Sequence, residues 1–155
     1  MTAGRASFDA ATPLPTAPDF KLGLRVYWED TDAGGVVFYA NHLKYFERAR
    51  TEWLRSLGFS QERLRLDSGT IFVVADTSIR YLLPARLDDW LNVDVRLLHA
   101  GRASMSLAQQ TWRAATTDAT AAPSLLCEGS IRIGCVDAAT FRPRRIPTDL
   151  LTALQ

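Results

Sequence analysis

From Phe20 to Glu29 apolar and polar residues alternate. Phe20, Leu22, Leu24, Val26 and Trp28 stand against Lys21, Gly23, Arg25, Tyr27 and Glu29. A period of two is that of a half-buried strand. The period then changes. Leu43, Phe46, Ala49, Trp53, Leu54 and Leu57 recur at three- and four-residue steps, the stripe of one long amphipathic helix. Lys44, Glu47, Arg48, Thr51, Glu52 and Arg55 fill its other faces, with Arg48 and Glu52 at a favourable four-residue spacing. Asn41 is the expected N-cap and Gly58 the expected stop. A polar segment from Ser60 to Ser68 carries Leu64 and Leu66 and predicts a helical turn.

Four further strands follow. In the first, Ile71, Val73, Ala75, Thr77, Ile79 and Tyr81 are expected to face one way, and the loop after it breaks at Pro84. Leu91, Val93, Val95 and Leu97 alternate cleanly with Asn92, Asp94 and Arg96 in the second. A turn at Ala100 and Gly101 leads into Ala103 to Arg113, which is less regular. Residues 114–124 are poor in apolar side chains and read as an exposed loop. Leu125, Cys127, Ile131, Ile133 and Cys135 mark the last strand, and residues 147–154 a short helix. Strands and helices do not alternate, which argues against a doubly wound parallel sheet. Successive strands on short loops favour an α+β fold, an antiparallel five-stranded sheet with the long helix on one face. One helix covers one face only, which leaves the other face, or an edge, to solvent or to a partner subunit.

At 155 residues the chain suits a single domain with a core of its own. Residues 1–19, rich in Ala, Thr and Pro, lack a continuous apolar segment and read as a flexible tail rather than a secretory signal. The domain proper spans 20–147, with a short C-terminal segment at 148–155. The formal net charge of +1 gives no field for nucleic acid. No apolar run approaches the roughly eighteen residues of a membrane span. Cys127 and Cys135 lie roughly 26 Å apart on one strand at about 3.3 Å per residue, too far for a disulfide. They read as buried thiols in a reducing cytoplasm. Arg142, Arg144 and Arg145 form a basic cluster, taken as a solvated terminus.

The chemistry on offer is sparse. There is no G-x-S-x-G elbow, no phosphate-binding glycine loop, and neither cysteine stands near a predicted helix start that would activate it. What remains is Glu29-Asp30-Thr31-Asp32 followed by Gly34 and Gly35, just ahead of the long helix. Asp30 and Asp32 could open a calcium loop, but its fifth and twelfth positions would be Gly34 and Asn41, which supply no carboxylate. They could simply complement the helix dipole. Or they could be catalytic: unpaired N–H groups at the helix start receive an oxyanion while an Asp a few residues earlier activates water or attacks directly. Spacing alone leaves the last two open.

The run from Tyr27 through Asp30, Asp32, Gly34, Gly35 and Tyr39 to Asn41, continued by Phe46-Glu47-Arg48-Ala49-Arg50-Thr51-Glu52-Trp53-Leu54, resembles the signature of hotdog-fold acyl-CoA thioesterases. It is similar to the 4-hydroxybenzoyl-CoA thioesterase type, and most to its Tol-Pal-associated branch. Tyr81, Pro84, Ala85, Leu87 and Asp89, and later Arg102-Ala103-Ser104, fit the same pattern. The resemblance covers about residues 20–147. It implies a hotdog fold, with the sheet wrapped around the long helix, and subunits paired into dimers and often tetramers. It also implies hydrolysis of an acyl-CoA thioester at a site shared by two subunits, with no metal and no cofactor beyond the CoA of the substrate.

By position, Asp32 matches the family's catalytic carboxylate and Tyr39 the residue whose backbone N–H meets the thioester carbonyl. Asp30, Gly35 and Asn41 would shape the turn, and Arg102 and Ser104 would approach the CoA phosphates. Position 42 departs from the pattern. The family commonly has an aromatic residue there, often Tyr. His42 lies off the predicted apolar stripe, which points to the surface or an interface, with a place in substrate binding or acid–base chemistry as the alternative. His99, at a strand end, is given no role. Two other functions compete. A hotdog dehydratase would need a His with a carboxylate, for which His42 and Glu47 are poorly spaced. A non-catalytic or acyl-carrier-protein-linked protein of the cell envelope or phospholipid metabolism has no need of a carboxylate at 32.

Overall fold

The computed structural model describes residues 17–115 and 121–155. Most of the expected tail and the middle of the loop after Arg113 therefore lie outside the described residues. The strands are β1 (Phe20–Arg25), β2 (Thr70–Tyr81), β3 (Trp90–Ala100), β4 (Ser104–Arg113) and β5 (Ser124–Asp137). The helices are α1 (Asn41–Ser56), α2 (Gln61–Ser68) and α3 (Thr148–Leu154). The strands form one antiparallel sheet in the order β1-β3-β4-β5-β2. No helix among the described residues is long and apolar enough to cross a membrane.

Helix α1 lies on one face of the sheet. Leu91, Val93 and Val95 of β3, Leu107 of β4 and Ile131 of β5 bury beneath it, as the period-two pattern required. The helix packs tightly at Gly129 of β5, where an added Cβ would stand 2.7 Å from the Phe46 ring. Gln109, wholly buried, fastens the two layers. Its amide donates to the carbonyls of Phe46 (3.1 Å) and Asp94 (3.2 Å), and its oxygen accepts from Arg50 (2.9 Å). Burial lowers the pKa of that Arg50 guanidinium, partly offset by Glu47.

Four expectations need correction. The buried stripe of α1 is His42, Tyr45, Phe46, Ala49, Trp53 and Leu54, while Leu43 is 38% exposed. Steps of three and four fit two neighbouring faces, and contact with the sheet selects between them. Trp28 is not on β1. The strand ends at Arg25, and Trp28–Asp30 form a 3-10 turn with Trp28 80% exposed. β2 does not keep one face throughout, because its register shifts between Val74 and Asp76. Phe72 and Val74 thereby share a face with Thr77, Ile79 and Tyr81, and Ile71 and Val73 point the other way. Finally, Asn41 is the first residue of α1 rather than its cap; Ala40 holds that place without a capping side chain. Gly58 is the expected stop, at φ +91° just past Leu57. Both cysteines are free and buried.

The face away from α1 carries charge. Asp94 accepts from Arg96 (2.5 Å) and from the Gln110 N–H (2.8 Å). Gln110 donates to Glu128 (3.3 Å), which pairs with Arg80. Asp94, Arg96, Gln110 and Glu128 are all buried. The unpartnered face expected from one helix is thus closed in part by a polar network across four strands.

Candidate active site

The acidic stretch is built by backbone hydrogen bonds. The Asp30 carboxylate accepts from the Tyr27 N–H (2.8 Å) and closes the 3-10 turn. A tight hairpin follows, with Thr31 bridged to Val37. The Asp32 N–H donates to the Val36 carbonyl, and the Gly35 N–H to the Asp32 carbonyl, both at 2.9 Å. Gly35 sits at φ +76°, a conformation that costs a side-chain-bearing residue about 1–2 kcal/mol. One oxygen of the Asp32 carboxylate accepts from the Gly34 N–H (2.8 Å), which orients the group at the exposed tip of the turn.

The hairpin is held to the β2–β3 connection and leads into α1. Val37 donates to the Ala85 carbonyl (2.8 Å), and Val36 bridges to Arg86. The Asp30 carbonyl accepts both the Phe38 N–H (2.9 Å) and the Asn41 side-chain amide (2.9 Å). Asn41 therefore ties the acidic turn to the head of the helix, which is why it does not cap. The Tyr39 carbonyl accepts from the Tyr81 hydroxyl (2.8 Å). The Tyr39 N–H donates to no group among the described residues. It is an open donor at a helix start, where the dipole favours developing negative charge.

His42 is 3% exposed, not a surface residue. Its ring stands 5.7 Å from those of Tyr45 and Tyr81, and its Nδ1 lies 3.5 Å from Cys127 Sγ. Burial lowers its pKa to about 4, so the imidazole is neutral near pH 7. Burial likewise pushes the Cys127 thiol up to about 11. Cys127 does stand by a helix start after all, since β5 carries it beneath the first turn of α1, yet its burial keeps it protonated. Tyr45 is raised by burial first and then by the neighbouring Asp30 carboxylate.

Asp30, Asp32, Gly35, Tyr39, Asn41 and His42 thus gather at one end of α1. Arg102 and Ser104 do not join them. Arg102 lies in the turn between β3 and β4 and Ser104 opens β4, whereas Ala85 and Arg86, which hold the hairpin, precede the start of β3. Ten steps of β3 separate the two ends, roughly 33 Å at about 3.3 Å per residue. Sequence reasoning missed the part played by Tyr81 and Cys127. Tyr81 lay within a quoted motif without a role, and Cys127 carried no local signal at all.

The family model for the Thioesterase superfamily matches residues 34–120. The chain belongs to that superfamily. It is 37% identical over 134 residues to a Haemophilus influenzae protein named acyl-CoA thioesterase YbgC, covering 86% of this chain and 93% of that one. An Escherichia coli protein named acyl-CoA thioester hydrolase YbgC is 38% identical over 132 residues, covering 85% and 92%. Among solved structures, a 1,4-dihydroxy-2-naphthoyl-CoA thioesterase from Synechocystis superposes with a TM-score of 0.76, covering 87% of this chain and 94% of that one. At 21% identity that likeness speaks for the fold alone, and it is the hotdog fold of this superfamily. The α+β hotdog architecture expected from the sequence is the one found.

Proposed function

We propose that this protein is an acyl-CoA thioesterase that hydrolyses a short-chain or aromatic acyl-CoA through Asp32 and the Tyr39 N–H. The observation that carries the mechanism is the pairing of an oriented, exposed carboxylate with an open backbone donor at the head of one helix. The thioester carbonyl lies with its oxygen toward the Tyr39 N–H, so negative charge developing there is met by a fixed dipole. Asp32 attacks the carbonyl carbon and expels CoA thiolate, the acyl-aspartate then being hydrolysed, or it takes the proton from an attacking water. Either role needs the carboxylate ionised and held as the Gly34 N–H holds it. Asp30, Gly35 and Asn41 keep the turn in register with the helix.

The active unit in this reading is a homo-oligomer. β2 is an edge strand of twelve residues, long enough to pair with the same strand of a second copy. Antiparallel pairing about a two-fold axis brings the Thr70 end of the partner's strand beside the Tyr81 end of this one. The β3–β4 turn lies at that Thr70 end, two strands inward. A partner would thus supply the positive charge toward CoA phosphates that Arg102 cannot reach within one chain. The same reading has two dimers joining as a tetramer, places the protein in the cytoplasm and involves no metal.

The test is free-thiol release from a panel of short, medium, long and aromatic acyl-CoAs, run beside Asp32→Asn. Turnover that falls at least a hundredfold in the variant, with the fold intact by circular dichroism, is the expected result. Undiminished turnover in Asp32→Asn would remove Asp32 from the mechanism.

A further inference from the structure

Beside the acidic turn runs a groove of about 270 Å³, lined by Val36, Val37, Tyr39, His42, Tyr81 and the Leu82–Pro84 segment. Tyr39 belongs both to this groove and to the proposed catalytic arrangement, so the groove opens beside the N–H to which the thioester carbonyl is assigned. The lining side chains are aliphatic or aromatic, and those that carry a polar atom are Tyr39, Tyr81 and His42. The His42 Nδ1 is engaged by Cys127, and Nε2 has no hydrogen-bond partner among the described residues. Nor is Nε2 among the sealed, unpartnered side-chain atoms of the described residues. It is a neutral polar atom at the wall of a mostly apolar groove, on a ring that three neighbours fix.

We infer that His42 is a specificity-determining residue, and that the groove takes an acyl group carrying a hydroxyl, which hydrogen-bonds Nε2. This rests on the thioesterase reading for the placement of the carbonyl. The hydroxyl follows from the chemistry of the ring. With the Cys127 thiol donating to Nδ1, the ring proton sits on Nε2 and seeks an acceptor. With the opposite tautomer, Nε2 is itself an acceptor and seeks a donor. A hydroxyl satisfies both, whereas a plain alkyl chain satisfies neither and leaves the atom desolvated. A site built this way selects against the analogue that lacks the oxygen.

The experiment is binding by calorimetry to the Asp32→Asn protein, which keeps the ligand intact, using butyryl-CoA against its 2-, 3- and 4-hydroxy derivatives. At least one hydroxy isomer should bind about tenfold tighter than butyryl-CoA, as one added hydrogen bond allows. That preference should vanish when His42→Phe is added and return in part with His42→Gln. Equal binding of all four ligands overturns the inference without any variant having to fold. So does a preference that survives in His42→Phe. Thiol release by the wild-type protein tests the thioesterase reading separately, so a failure of one is not mistaken for a failure of the other.

Discussion

The Tyr81 hydroxyl donates to the Tyr39 carbonyl at 2.8 Å, across 42 positions of sequence. It fastens the end of β2 to the segment that carries the open N–H. A neutral hydrogen bond of this kind contributes about 1 kcal/mol, equivalent to about a fivefold change in rate if it serves the transition state alone. Tyr81→Phe removes the oxygen and keeps the ring against His42. We expect kcat to fall about fivefold with KM little changed. A rise in KM at constant kcat would instead mark Tyr81 as a groove wall.

Gly129 is where α1 rests on β5. A methyl group there would meet Phe46 at 2.7 Å and the Ser78 carbonyl at 3.0 Å. The carbonyl belongs to the paired strand and has little freedom to retreat, so the methyl must displace the Phe46 ring, the strand or both. Gly129→Ala should destabilise the fold by about 1–3 kcal/mol, the usual cost of overpacking, read as a lower urea midpoint. An unchanged midpoint would show that the helix is not seated on this residue.

How far these relationships were legible in the sequence follows their range. The hairpin from Thr31 to Val37 and its junction with α1 are local, so Asp30, Asp32, Gly35 and Asn41 could be grouped from spacing and resemblance. The long-range partners could not. Nothing near His42 announces Cys127, which reaches it from β5. The face of α1 that buries is chosen by the sheet and not by the helix, which is why Leu43 and His42 exchanged places. The shift at Ala75 reverses half of β2, and alternation read straight through it puts Ile71 and Val73 on the wrong side. Arg102 and Ser104 match the family by position, yet they stand at the far end of β3, a distance that sequence order does not reveal.

Asp94 is the centre of the network on the open face. Burial raises its pKa, and the Arg96 guanidinium pulls it back only in part. A buried carboxylate in that position costs free energy to desolvate, but removing it takes the charge partner from Arg96 and the acceptor from the Gln110 N–H. Asp94→Ala should therefore cost about 3 kcal/mol. Asp94→Asn, which keeps an oxygen in place, should cost less. Urea unfolding of both variants checks the order, and equal losses would mean that the charge matters and the hydrogen bond does not.

His42 makes the fold sensitive to mild acid. In the folded protein its pKa is lowered from 6.5 to about 4 by burial. Well above pH 6.5 the ring is neutral in both states and contributes nothing to the pH dependence. As pH falls below that value the unfolded chain takes up a proton that the folded ring refuses until about pH 4. Stability therefore declines across this window, by up to about 3 kcal/mol at its lower end. The Cys127, Tyr45 and Tyr81 groups around the ring stay neutral throughout, and subtracting a variant removes the contribution of remote carboxylates. Unfolding free energy measured from pH 7 to pH 4 should fall more steeply for the wild type than for His42→Phe, the difference in slope approaching one proton near pH 5. Parallel curves would show that burial does not hold the ring neutral in the folded state.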